Sequence, residues 1–151
     1  GRIHENDAKS LREFGDWLRK AFTVNLAAGA KAKASNVRGN NKQFAPSKVL
    51  DGERFSYWAT DDDVTTAELE LDLGAEKTFN LVRVRENIKL GQRVNEFAVD
   101  IWRDGQWAEF GKAIGIGPQR LLHPLLQPLN QGAGRRQRCT SLQPVAQDQP
   151  L

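Results

Sequence analysis

Leu11, Phe14, Trp17, Leu18, Ala21 and Phe22 recur at three- and four-residue spacing, while Arg12, Asp16, Arg19 and Lys20 take the other faces. That period predicts an amphipathic helix from about Asn6 to Leu26, capped at its start by Asn6 or Asp7. Gly15 weakens its interior by about 1 kcal/mol relative to alanine. The small residues AAGAKAKAS then read as a flexible join. Further on the period changes to two. Leu69, Leu71 and Leu73 alternate with Glu68, Glu70 and Asp72; Phe79, Leu81, Val82 and Val84 follow; Phe97, Val99 and Ile101 alternate again up to Trp102. Asp104-Gly105 marks a hairpin turn into Trp107-Ala108-Glu109-Phe110. Short strands separated by turn signals, with no helix between them, predict an antiparallel sandwich.

After Gly117 the alternation stops. Five of the six prolines and seven glutamines lie there, with no aromatic residue, so this stretch reads as unsuited to a packed strand. Residues 123–151 are therefore expected to be a disordered tail. The charge tells the same story. Four arginines and one aspartate from Gly117 onward supply the whole net charge of +3, leaving 18 basic and 18 acidic residues before them. An excess confined to a tail argues against a nucleic-acid surface, which belongs on a folded face. No apolar run reaches eighteen residues, so no membrane span is expected, and no signal peptide is visible. A single cysteine, Cys139, allows no internal disulfide.

The stretch from Ala34 to Thr60 carries the candidate chemistry. Leu50-Asp51-Gly52 favours a tight turn, and Tyr57-Trp58 follows closely. The turn gathers oxygens of Asp51, Glu53 and Ser56, an arrangement suited to a hard cation such as calcium, although an Asp-Gly turn can also stand without metal. ASNVRGNNKQFAPSKVLDGERFSYWAT resembles the opening of a discoidin-like (coagulation factor 5/8 type C) β-sandwich of the kind appended to bacterial α-L-fucosidases of glycoside hydrolase family 29. GRIHENDAKSLREFGDWLRKAF is similar to the helix that closes their catalytic domain, ENIKLGQRVNEFAVDIW to a strand–loop–strand of their C-terminal module, and DGQWAEFGKAIGIGPQRLL to the next hairpin.

The resemblance covers Gly1 to about Leu122 and implies an all-β, galactose-binding-like jelly roll behind one N-terminal helix. Its divisions would be a helix and linker over 1–28, a sandwich over 29–122 and an atypical tail over 123–151. It also implies a calcium ion held by Asp51 and Ser56 with carbonyls near Lys48 and Glu53, a secreted or periplasmic setting, and the catalytic barrel of a parent fucosidase as a partner. Where the family continues with a Val-Arg-Val-Arg-Ile strand and a closing acid, this chain reads HPLLQPLNQGAGRRQRCTSL. That departure predicts a sandwich incomplete at its C-terminus. A change of reading frame near Leu122 would account for it, and the alternative frames of the coding DNA would test that.

A retaining glycosidase needs two carboxylates about 5 Å apart. In the resembled enzymes those lie in the barrel, so no catalytic residue carries over. Asp61-Asp62-Asp63 points in different directions along a turn and reads as solvated or as a minor cation contact. Sugar recognition needs an aromatic face and planar polar groups, for which Trp58, Glu86, Asn87, Gln92 and Arg93 are the candidates, with glycans bearing fucose or galactose as ligands. A tryptophan such as Trp58 is more often core than platform, and the ENIKLGQR loop could equally pack on a catalytic domain. Of Trp107 and Phe110, on opposite faces by alternation, one belongs to the core. A non-catalytic carbohydrate-binding or structural module is the leading expectation. An active fucosidase fragment, or a discoidin module for a protein or lipid surface, are the alternatives.

Overall fold

The structure, a computed structural model, describes residues 4–124 together with the backbone of 132–142. One helix, α1 (Glu5–Ala21), precedes seven strands: β1 (Lys31–Ala34), β2 (Thr66–Phe79), β3 (Val82–Val84), β4 (Glu96–Arg103), β5 (Gln106–Ile114), β6 (Arg120–Leu122) and β7 (Gly132–Leu142). The larger sheet runs β1-β2-β7-β4-β5 and the smaller pairs β3 with β6, all antiparallel. The expected all-β sandwich with one N-terminal helix is what forms.

The period-two stretches behave as alternation dictates. Along β4, Phe97, Val99 and Ile101 are buried at 2–5% exposure, and Ala67, Leu73 and Phe79 are buried along β2. All of these but Ala67 meet Phe110 of β5 and Leu122 of β6, with Val82 and Val84 of β3 packed against the same cluster. The rings of Phe79 and Phe110 lie 5.4 Å apart. Phe110 is thus the core member of the pair weighed above. Trp107 sits opposite Trp102 across the β4–β5 ladder, edge to face at 5.2 Å. Asp104 (φ 51°) and Gly105 (φ 81°) make the turn between those strands, positive φ at both positions being what a tight two-residue hairpin requires.

Several expectations need correction. The stretch AAGAKAKAS, expected to be a flexible join, carries β1 (Lys31–Ala34), which the backbone ladder with β2 orders despite its small and charged side chains. The helix ends at Ala21, before Leu26, where the Thr23 hydroxyl donates to the Arg19 carbonyl (2.9 Å) and the Asn25 side chain accepts the Ala27 amide (3.1 Å). Short polar side chains bonding locally offer the backbone an alternative to further helix. Its cap is the His4 ring nitrogen, which accepts the Asn6 amide, rather than Asn6 or Asp7.

A further correction concerns the tail. Residues 132–142, expected to be disordered, form β7 and lie between β2 and β4, so the expected gap at the C-terminal end of the sandwich is filled at this position. Register places Cys139 opposite both Leu69 and Val99, and Gln137 opposite Leu71 and Ile101. A central strand forms backbone ladders on both sides, and those ladders override a sequence with no apolar alternation. The remainder of the expected tail, 125–131 and 143–151, lies outside the described residues.

No residue of α1 is buried; Leu11, Phe14 and Trp17 are 60%, 56% and 51% exposed, with Phe14 stacked on Trp17. The helix is tethered through the segment that follows it. The Arg83 guanidinium covers the Phe22 ring at 4.5 Å, and Leu26 and Ala27 pack on the core.

Candidate functional site

Between β1 and β2 the chain makes three short helical turns, Arg38–Asn40, Lys42–Phe44 and Pro46–Val49, before reaching the Asp51-Gly52 turn. Asp51 Oδ1 accepts the Glu53 amide at 2.9 Å, the local bond expected of aspartate ahead of glycine, and Gly52 takes φ 79°. Ser56 Oγ then sits 2.6 and 2.7 Å from the two Asp51 carboxylate oxygens, 3.2 Å from the Lys48 carbonyl and 3.5 Å from the Glu53 carbonyl. The sequence-predicted cation residues Lys48, Asp51, Glu53 and Ser56 are therefore brought together. One hydroxyl proton serves four surrounding acceptor oxygens, so this donor set has spare lone pairs of the hard type calcium takes. Lys48 Nζ, 3.6 Å from Asp51, supplies part of the compensating charge. Among the described residues no group of three His, Cys, Asp or Glu gathers as a ligand set, so a cation here would lean on carbonyls and water. The Ser56 hydroxyl, then the Glu53 amide and the Lys48 charge, hold the Asp51 carboxyl below the usual carboxylate range.

A second cluster joins the loop before β2 to the loop before β4. The Asn36 side chain exchanges two hydrogen bonds with Asp61, donating to its carboxylate (3.0 Å) and accepting its amide (2.9 Å). Asn36 also accepts the Trp58 indole N–H on its carbonyl at 2.8 Å. Asp61 takes the Gly39 amide at 2.7 Å as well, and that amide, with Asn36, lowers its pKa. Arg38 grips the neighbouring Asp62 with both terminal nitrogens, at 2.8 and 2.6 Å. Arg93 reaches the same carboxylate from the other loop, but only to 3.8 Å. The Asp61 and Asp62 carboxylates are thus each engaged in holding these loops.

The candidate glycan residues have different fates. Trp58 is half-buried, its N–H engaged, so it is part wall and part surface. Arg93 joins the Arg38–Asp62 pair. The Glu86 carboxylate is occupied by the backbone amides of Arg93, Val94 and Gly117, which makes it the staple of its loop. Asn87 donates to the Phe55 carbonyl at 3.2 Å and so ties the two loops side by side. The Gln92 side chain lies over Gly115, close enough that a Cβ there would be 2.6 Å from its amide nitrogen. Sequence reasoning missed Arg38, Asn36 and the pairing role of Asp62. No local pattern links a guanidinium to a carboxylate 24 positions away.

Comparison with known proteins places these loops in context. Residues 31–122 match the F5/8 type C domain. A rice protein called putative alpha-L-fucosidase 1 is 40% identical over 123 residues, 80% of this chain and 24% of the rice protein. A Ruminococcus gnavus GH29 fucosidase in complex with fucose superposes with a TM-score of 0.78 and 31% identity, over 95% of this chain and 28% of that one. A chitosan-binding module in complex with chitotriose, from a Paenibacillus chitosanase/glucanase, shares the fold alone, with 14% identity and a TM-score of 0.65 over 78% of this chain and 87% of that one. The chain spans about a quarter of the length of the curated relatives it matches. A family match over more than half the sequence, on a sandwich of the right topology, leads to one conclusion: this chain belongs to the F5/8 type C domain family.

Proposed function

We propose that this chain is the non-catalytic, glycan-contacting and structural module of a GH29 α-L-fucosidase whose catalytic barrel removes terminal fucose from glycans. The observation that carries the reading is the likeness to a single fucosidase polypeptide over 95% of the chain, a span that must include most of α1 as well as the sandwich. The exposed Leu11, Phe14 and Trp17 stripe on α1 supports contact with the barrel, because a stripe of large apolar residues left in water favours a covering protein surface. A secreted or periplasmic location follows from the proposed parent. No described helix is long and apolar enough to cross a membrane. On this reading the 151-residue chain hydrolyses an aryl α-L-fucoside no faster than buffer, yet binds fucosyl or galactosyl oligosaccharides in titration calorimetry. Turnover abolished by substituting an acidic residue of this chain would overturn it.

Calcium is part of the proposal. Asp51 and Ser56 with the Lys48 and Glu53 carbonyls would hold the ion, which would pin the loop and do no chemistry. Millimolar calcium is expected to raise the melting temperature by a few degrees, and EDTA or Asp51→Ala to remove that increment, as ligand linkage requires. A protein or lipid surface is the rival ligand. Phe55, Ile88 and Leu90, each about half exposed, stand near Arg54 and Lys89, whose cations lie 5.9 and 3.7 Å from the Phe55 ring. Sedimentation with vesicles containing anionic lipid would reveal that alternative.

A further inference from the structure

We infer that the open ion pair between Arg93 and Asp62 is the point at which this module reads a glycan, by inserting one neutral sugar hydroxyl between guanidinium and carboxylate. The inference rests on the glycan-binding reading above and locates it. At 3.8 Å the pair is too long for a direct hydrogen bond. Its two members are about half exposed, 56% for Asp62 and 46% for Arg93, and Arg38 beside them is 40% exposed, so a ligand can reach them. The chemistry suits a group that both donates and accepts. A sugar O–H both donates and accepts: it would donate to Asp62 Oδ1 and accept from Arg93 Nη2, with both bonds charge-assisted.

The surrounding residues are built to hold this pair open. Arg38 fixes the Asp62 carboxylate through two short bonds, so Asp62 cannot swing over to close on Arg93. The Glu86 carboxylate fixes the Arg93 and Val94 amides, which sets the root of the Arg93 side chain. Asn36 and Asp61 lock the adjoining loop, and the half-buried Trp58 is bonded to that same Asn36. Apart from Asp62, the Arg93 guanidinium has no ion-pair or hydrogen-bond partner among the described residues, so most of its five donors are free for a second hydroxyl. The local charge does not invite an anion. Asp61, Asp62 and Glu86 more than offset Arg38 and Arg93, which favours a neutral polyol over a sulfate or carboxylate.

The test uses the full chain with L-fucose, D-galactose, a fucosylated galactoside and its monodeoxy analogues. Arg93→Gln keeps a planar donor and removes the charge, and Asp62→Asn keeps the size and removes the acceptor charge. Each is expected to weaken oligosaccharide binding at least tenfold, with the Arg93→Gln melting temperature unchanged. One monodeoxy analogue, lacking the spanning hydroxyl, is expected to bind wild type and Arg93→Gln equally, a result that general loosening of the fold would not give. Arg38 is a positioning residue, and Arg38→Lys should weaken binding of the parent sugar while leaving that analogue unaffected. Oligosaccharide binding by Arg93→Gln at wild-type strength would overturn this site and leave the module reading intact. Absence of binding by wild type to every sugar tested would overturn both. Displacement of the sugar by millimolar sulfate would show an anion site and also overturn the proposal.

Discussion

At the scale of single residues, the Lys48–Ser56 loop shows how much depends on one hydroxyl. Ser56 supplies the bond that does most to hold the Asp51 carboxyl below the ordinary aspartate range, ahead of the Glu53 amide and Lys48. A carboxyl depressed in the folded state contributes stability above its unfolded pKa of about 4 and loses that contribution as pH falls through the folded value. Asp61, depressed by Gly39 and Asn36, acts in the same direction. Melting temperature should therefore drop as pH falls below about 4. Ser56→Ala should flatten part of that drop, and an acid limb of unchanged steepness in the variant would refute the role given to Ser56. Phe97, only 3% exposed in the middle of the core, offers a contrast. Phe97→Ala should cost about 3–5 kcal/mol in denaturant unfolding, from lost burial and the cavity left behind. Asp51, Glu53 and Ser56 were legible in the sequence because the geometry of the turn is local, while Lys48 came only from the family resemblance. The Arg38–Asp62–Arg93 cluster was not, since its members are distant in sequence and meet only once the two loops are folded side by side.

Among elements, β4 and β5 were the most readable. Clean alternation gave the inward set, and Asp104-Gly105 gave the hairpin between them. The ladder still holds a feature that alternation hides: register shifts between Val99 and Asp100, so Phe110 is the extra residue of a bulge on β5. The turn itself can be tested. Gly105 has φ 81° with open space around its Cα, so alanine there would meet backbone strain without a clash. Gly105→Ala is expected to lower stability by about 1–2 kcal/mol; equal melting temperatures would show that the turn is not held in this form. The helix was legible in its apolar stripe but not in its end. Periodicity continues to Leu26 on paper, while Thr23 and Asn25 bond the backbone locally and stop the helix at Ala21.

For the whole molecule, the decisive element is the strand the sequence disguised. Glutamine, arginine and glycine between prolines resemble a tail, and only long-range pairing makes β7 a strand. Removing residues 123–151 should expose unpaired edges on both β2 and β4, and the shortened chain should self-associate in size-exclusion chromatography where the full chain does not. A monodisperse truncated chain of unchanged stability would show that β7 does not bridge those strands. The placement also has a temporal consequence. During synthesis β2 emerges more than fifty residues ahead of β7, and β4 about thirty; β2 can pair with β1 and β4 with β5, yet the other edge of each stays unpaired until β7 leaves the ribosome. The nascent sandwich must therefore wait with two facing strand edges unsatisfied, which makes the interval before β7 emerges the one when a chaperone would matter most.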